Sequence, residues 1–182
     1  MENCLFFHLP LFPFFLFPLK MSALSDQSVK GIYLMFRKII STSPSWTPLP
    51  LRLAMAAVFI AHGAGKVLGS FGGPGLRVFT TGPTAQTPFS FMRPAWLWLG
   101  AAAVSELLGA ILLLIGLLTR VGAFLLFCVM LTAVIGVHWK NGFFAPGGIE
   151  YPLTLAAICL ALLISGGGMA SIDRGLSSGR RR

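Results

Sequence analysis

The chain has 182 residues, of which 55% are hydrophobic and only 10% are charged, and its mean hydropathy is +0.82. A soluble domain carries about 25% charged residues, so this composition excludes an ordinary soluble protein and indicates an integral membrane protein. The formal net charge of +9 does not indicate nucleic-acid binding. The basic residues lie between apolar segments, where they set membrane topology, and do not cluster with aromatic residues on a polar face.

Residues 1–48 are predicted to be an N-terminal extension that is partly disordered. The first part of the extension, residues 1–20, is apolar, but its three prolines oppose a helix. It also lacks the basic region and the small-residue cleavage site of a signal peptide. Because Met21 follows at once, we interpret residues 1–20 either as a disordered extension or as the result of an incorrectly assigned start site. Insertion of this segment into the membrane is the less favoured alternative.

Four segments contain the roughly 20 apolar residues that a transmembrane helix needs. They run from about Leu49 to Leu68, Ala95 to Leu118, Val121 to Trp139, and Tyr151 to Gly168. The short turn between the second and third segments requires these two helices to be antiparallel. The predicted fold class is therefore all-α: a polytopic membrane protein built as an antiparallel four-helix transmembrane bundle. The predicted membrane domain covers residues 49–173 and is followed by a basic cytoplasmic tail, residues 174–182.

Lysine and arginine residues indicate the orientation of the bundle, because cytoplasmic loops carry an excess of them. Four lie on one side of the predicted bundle: Lys66, Arg77, Arg93 and Lys140. Ten lie on the other side: Lys20, Lys30, Arg37, Lys38, Arg52, Arg120, Arg174, Arg180, Arg181 and Arg182. Both termini are therefore predicted to lie in the cytoplasm, and the connection "HWKNGFFAPGGIEY" before the fourth helix faces outward.

The few ionisable residues of the apolar segments lie towards the predicted outer ends of the helices. His62 and Lys66 are four residues apart and share a face of the first helix. Glu106 lies about 16 Å below the outer start of the second helix. His138 ends the third helix, and Glu150 opens the fourth. An antiparallel bundle is therefore expected to bring these five side chains towards one outward-opening pocket.

Glu106 is the most informative of these residues, because a charged side chain at the centre of the bilayer is unfavourable by roughly 3 kcal/mol or more. One interpretation is a carboxylate that carries a proton or binds a ligand. The other is a structural group, in an ion pair with Lys66 or a hydrogen bond with His62. Beside Glu106 runs a row of small residues that permits close helix approach: Ala101, Ser105 and Gly109.

Structural interpretations also remain open for the other candidates. Lys66 can reach the headgroups as part of an interfacial pair with His62. His138 can be an interfacial residue beside Trp139, and Glu150 can be a helix N-terminal acid favoured by the macrodipole. We take Glu106 and His62 as candidate catalytic residues, and Lys66, His138 and Glu150 as candidate ligand-binding residues.

No metal site is predicted. The histidines and glutamates have no recognisable ligand spacing, and Lys66 in the same pocket would repel a cation. A haem held by His62 and His138 is disfavoured for the same reason, because the two histidines have no recognisable ligand spacing. The three cysteines are isolated and form no C-x-x-C motif, so neither a dithiol centre nor a zinc site is indicated.

Four stretches resemble the DoxX family of small bacterial four-helix membrane proteins. They are "RLAMAAVFIAHGAGKVLG", "SELLGAILLLIGLLTRVGA", "HWKNGFFAPGGIEYPLTLAA" and "SGGGMASID", in this order between roughly Leu51 and Asp173. The resemblance implies a four-helix fold and a bacterial inner-membrane location. It also carries over a family-like polar set, without a catalytic role for any member: His62, Lys66, Glu106, His138, Gly142, Phe143, Glu150 and Tyr151.

The family is named for a subunit of a thiosulfate:quinone oxidoreductase, and other members are associated with membrane oxidoreductase complexes. The resemblance therefore implies the membrane subunit of a quinone-linked oxidoreductase, with the lipid bilayer and other subunits as partners and quinone as the ligand. A histidine and a carboxylate suit the two quinone oxygens, since one donates a hydrogen bond and the other exchanges a proton. The alternatives are a non-catalytic membrane anchor or assembly factor for soluble partners, and a small transporter.

Overall fold

The computed structural model describes residues 27–83, 85–144 and 146–178, and the predictions for residues 1–20 and 179–182 lie outside these ranges. Within them the protein is all-α and contains no β-strand, as the sequence predicted. The helices are α1 (Gln27–Ile40), α2 (Pro48–Leu68), α3 (Gly75–Thr81), α4 (Ala95–Ile115), α5 (Thr119–Thr132), α6 (Glu150–Ser165) and α7 (Ile172–Ser178). A π-helical segment, Ala133–His138, continues α5, and short 3-10 turns occupy Ser70–Gly72 and Trp139–Asn141.

Three helical segments in the described part of the chain are long and apolar enough to cross a membrane: Pro48–Leu68, Ala95–Ile115 and Thr119–Asn141. The apolar helix α6 has only 16 residues. Its length of about 24 Å falls short of a hydrocarbon core of about 30 Å. The protein is thus a helical membrane protein, and a fourth complete span through α6 stays a prediction.

The second and fourth predicted segments extend too far at their C-terminal ends. Helix α4 ends at Ile115, and α6 ends at Ser165. Each is followed by a glycine in the left-handed region, with φ of 69° at Gly116 and 73° at Gly166. Both glycine N–H groups donate to carbonyls four residues earlier, which closes the last helical turn. Glycine adopts this conformation without the steric penalty of a Cβ, so the helices end there.

The long helices pack in the order α2 on α4, α4 on α5, and α5 on α6. Their shared core is apolar and includes Met55, Phe59, Ala110, Leu113, Leu126, Cys159 and Leu162. Other large apolar side chains on the same helices are exposed, among them Leu108, Ile111, Phe124 and Leu160. Such an exposed apolar surface suits contact with lipid chains, which are as apolar as leucine.

Two glycines allow close approach between the long helices. A Cβ added to Gly63 on α2 would lie 2.7 Å from the Leu107 backbone nitrogen of α4. One added to Gly109 on α4 would lie 3.1 Å from the Gly122 carbonyl oxygen of α5. Gly109 belongs to the predicted row of small residues, and its close neighbour is α5. Leu107, which packs against Gly63, follows Glu106 in the chain, so this contact brings the Glu106 carboxylate close to α2.

A buried arginine joins three chain segments at the end of the bundle where α2 begins. Arg52 is 1% exposed. Its guanidinium donates to four backbone carbonyl oxygens: Leu113 at 2.7 Å, Leu114 at 3.1 Å, Gly167 at 2.9 Å and Ala170 at 2.7 Å. The first two belong to the last turn of α4, where carbonyls lack intrahelical partners. The start of α2 therefore lies beside the end of α4, and the two helices are antiparallel.

Asp173 on α7 closes the same end of the bundle. Its carboxylate is buried and accepts hydrogen bonds from the backbone N–H groups of Leu118 at 2.7 Å and Thr119 at 2.9 Å. These N–H groups begin α5 and have no helical acceptor of their own. We call Arg52 and Asp173, with their backbone partners, the clasp. Because α7 starts at Ile172, it crosses the predicted boundary between the membrane domain and the tail.

Arg120 links the neighbouring helix pair in a similar way. Its guanidinium donates to the carbonyl oxygens of Leu163 at 2.7 Å and Ile164 at 2.9 Å, in the last turn of α6. Helix α5 therefore begins where α6 ends, and these two helices are antiparallel. From the sequence, Arg52 and Arg120 are expected only to set topology, whereas in the structure both cap helix ends.

Candidate functional site

Lys66 and Glu106 form a salt bridge between α2 and α4. The Lys66 Nζ lies 2.6 Å from Glu106 Oε1 and 2.7 Å from Oε2. Glu106 is only 3% exposed, whereas 26% of the Lys66 side chain is exposed. One cation thus donates to both carboxylate oxygens, which offsets the unfavourable burial of a lone charge. Of the two partners that the sequence offered for Glu106, the structure places Lys66 in direct contact.

The surrounding elements hold this pair in place from two directions. The close packing at Gly63 draws α2 onto α4, and Lys66 follows three residues later on α2. From α3, the Phe79 ring lies under the ammonium, with 5.3 Å between Nζ and the ring centroid. Attraction between a cation and an aromatic face stabilises the ammonium beside an apolar surface. Helix α3 therefore contacts the Lys66 side of the pair, and it lies in the connection between the first two predicted spans, where no helix was predicted.

A cavity of about 360 Å³ opens beside the exposed edge of Lys66. It is lined by Ala61, His62, Gly65, Lys66, Ser70, Phe71, Gly72, Gly73 and Pro74. His62 is exposed and lies one helical turn before Lys66 on the same wall. The glycine-rich turn can approach α2 closely because a Cβ at Gly73 would collide with the Gly65 backbone.

Phe71 at the cavity has an unusual backbone conformation. Its φ is 54° and its ψ is 30°, in the left-handed region that bulky residues seldom adopt. Its side chain is also strongly exposed. Such conformations are unfavourable by about 1–3 kcal/mol and occur often at ligand sites. Phe71 is therefore a further candidate for ligand contact, and nothing in the residue pattern of "GSFGGPG" singled it out.

The other two predicted site residues lie elsewhere. The His138 Nδ1 is 2.7 Å from the Gly147 carbonyl oxygen, to which the Asn141 Nδ2 also donates at 2.9 Å. His138 thus braces the connection between the π-helical segment and α6. Glu150 is the exposed first residue of α6. The structure brings Lys66 and Glu106 together and lines the adjacent cavity with His62, and neither His138 nor Glu150 lines that cavity.

Comparison with known proteins gives one clear relationship. A family model described as DoxX matches residues 47–139, which is more than half of the chain. The chain belongs to the DoxX family. The comparisons with curated proteins and with solved structures gave no match. In this DoxX protein the matched region runs from the start of α2 to the turn after the π-helical segment. It includes Lys66 and Glu106, and it ends before Glu150.

Proposed function

We propose that this DoxX protein is the membrane subunit of a quinone-linked oxidoreductase complex, and that the cavity beside Lys66 receives the quinone headgroup. The observation that carries the proposal is the buried Lys66–Glu106 pair, whose lysine edge opens onto a cavity lined by His62. Ion pairs within membrane segments are rare, and they often mark proton or substrate pathways. The cavity volume of about 360 Å³ falls in the range of small-molecule sites.

Each polar group has a chemical part in this proposal. The His62 imidazole donates a hydrogen bond to one quinone oxygen, and the Lys66 ammonium stabilises negative charge on the ring as electrons arrive. Reduction to the quinol takes two electrons and two protons. The electrons come from another subunit of the complex. The two protons come from water and reach the quinone through His62 and through Glu106, the latter by way of the Lys66 ammonium that lies 2.6 Å from its carboxylate.

The location follows the charge distribution of the sequence. The excess of lysine and arginine on one side favours a bacterial inner-membrane protein with both termini in the cytoplasm. In that orientation the cavity opens towards the outer side. Quinones dissolve in the bilayer, so a cavity at the end of the spans lies within their reach.

One observation favours a second function, a non-catalytic membrane anchor or assembly factor. Both Glu106 oxygens already accept hydrogen bonds from Lys66, which is what a purely bracing pair requires. In that case the soluble partners would dock on the protein without any need for proton exchange at Glu106.

A photoreactive quinone tests the proposed site directly. The purified protein in lipid nanodiscs is irradiated with an azido-quinone, and the labelled peptides are mapped. We expect label within residues 61–74, competed by unlabelled quinone, and reduced at least tenfold in His62→Ala. Leu53→Ala, an exposed residue of the same helix away from the cavity, should label as the wild type does. Label that excess quinone does not remove, or that avoids residues 61–74, would contradict the proposal.

A further inference from the structure

Helix α1 separates apolar and basic side chains onto opposite faces. Its apolar residues recur at helical spacing along one side: Ile32, Met35, Phe36, Ile39 and Ile40. Lys30, Arg37 and Lys38 lie on the other side, which Leu34 interrupts. Most of the apolar face is not covered by the bundle, because Met35 is 68% exposed and Phe36 is 55% exposed, whereas Ile39 and Ile40 at its end are partly buried. This pattern is typical of helices that lie in a membrane interface.

The chain that follows α1 fixes its level relative to the spans. The Ser43 N–H donates to the Ser165 carbonyl at the end of α6, with 2.9 Å between the two atoms. The Arg120 Nε donates to the Ser41 carbonyl oxygen at 3.2 Å. Helix α1 also contacts α5 and α7 at the clasp end of the bundle. It is therefore held where the spans leave the hydrocarbon, at the level of the headgroups.

The charge of this region suits an anionic surface. Helix α1 carries no acidic residue, and in the described part of the chain no carboxylate forms a salt bridge with Lys30, Arg37 or Lys38. Where α1 ends, a cavity of about 260 Å³ opens between the segment that follows α1 and helix α7. It is lined by Ser41, Thr42, Arg174, Ser177 and Ser178. A phosphate there would meet one guanidinium and several hydroxyl groups.

We infer that α1 lies flat in the headgroup layer and binds anionic phospholipids. Its apolar face enters the acyl-chain boundary, and Lys30, Arg37, Lys38 and Arg174 face the lipid phosphates. An anionic leaflet attracts each basic residue near its surface by roughly fivefold in binding. The inference does not depend on quinone chemistry, since it uses only the placement and side chains of α1 and α7.

The test compares two positions on opposite faces of α1. Single cysteines replace Phe36 or Gly31 in the full-length chain with its native cysteines changed to alanine, and each receives a nitroxide label. A labelled cysteine at either position should leave the packing unchanged, because Phe36 is exposed and a Cβ at Gly31 meets nothing within 4 Å. In nanodiscs with phosphatidylglycerol, the label at 36 should be accessible to oxygen and shielded from an aqueous nickel complex. The label at 31 should behave in the opposite way.

A variant that lacks the basic side chains of α1 measures how much anionic lipid contributes to the position of the helix. Lys30→Gln with Arg37→Gln and Lys38→Gln should reduce the depth difference in phosphatidylglycerol discs to the value that the wild type shows in purely zwitterionic discs, where the same change should have little effect. Arg77→Gln on α3 should change neither. Two outcomes would overturn the inference. One is nickel access at position 36 equal to that at 31. The other is shielding at 36 that depends on the number of protein copies per disc, which would identify a second copy as the occupant.

Discussion

The clasp and the Lys66–Glu106 pair both bury charge in an apolar bundle, yet their partners differ. At the clasp, the Arg52 guanidinium and the Asp173 carboxylate bond to backbone groups of α4, α5 and the 167–170 turn. At the other end of α2, about 21 Å away, Glu106 relies on a single side chain that is partly exposed in a cavity. Backbone groups cannot change protonation or leave, whereas a side-chain partner can. We therefore expect the type of partner, and not burial alone, to separate a charge that exchanges protons from one that only stabilises the fold.

The largest effect is expected from breaking the clasp. Arg52→Met leaves several buried carbonyls without donors and removes the electrostatic partner of Asp173. Removing one member of a buried charged network typically lowers the free energy of unfolding by about 3–5 kcal/mol. The midpoint of thermal unfolding in detergent should therefore fall strongly. Arg77→Met, an exposed arginine of α3, is the control, and an equal midpoint for both variants would contradict the structural role of the clasp.

The variants Lys66→Met and Glu106→Gln, singly and together, test how strongly the Lys66–Glu106 pair stabilises the bundle. Groups in contact give non-additive effects, with coupling energies of about 0.5–3 kcal/mol. We expect the double variant to be more stable than the sum of the two single effects implies, because Lys66→Met alone leaves a buried carboxylate unpaired. Denaturation of all four proteins measures the coupling. Strict additivity would show that the 2.6 Å contact contributes nothing to stability.

A smaller effect should follow from a methyl group beside Arg52. A Cβ at Gly116 would collide with the guanidinium, and the φ of 69° also disfavours a side chain. Gly116→Ala should lower the free energy of unfolding by roughly 1–3 kcal/mol. Gly175→Ala in α7 serves as the control, because a Cβ there meets nothing within 4 Å. A Gly116→Ala protein as stable as this control would mean that the turn can relax without loss.

The Lys66–Glu106 pair could be predicted from the sequence as one of two alternatives, because spacing and depth identify such residues without coordinates. Helix periodicity places Lys66 near the end of α2, and a carboxylate in the middle of an apolar segment requires a partner. The clasp was missed for the opposite reason. Arg52 precedes an apolar run and resembles any topology-setting arginine, while two of its acceptors, the carbonyls of Gly167 and Ala170, lie more than 100 residues away.

Local turns account for other differences between the predicted and the observed structure. The predicted ends of the second and fourth segments followed hydropathy, which does not register a left-handed glycine at 116 or 166. His138 was expected to point towards the pocket, but a π-helical segment and the bond to Gly147 direct it into its own loop. The amphipathic helix α1 lies within the predicted N-terminal extension, in which no helix was predicted.

The comparison between the two buried charges is tested most directly by Glu106→Gln in the oxidoreductase complex that we propose. The variant keeps the shape of the side chain and removes its ionisation. Quinone reduction should be measured, with the reductant that supports the wild-type complex, alongside the thermal midpoint. Ser105→Ala, which faces a different cavity on α4, is the matched control. We predict that the reduction rate of Glu106→Gln falls at least about 100-fold, while its midpoint falls far less than that of Arg52→Met. An unchanged rate together with a lowered midpoint would contradict this account and make Glu106 a brace of the same kind as the clasp.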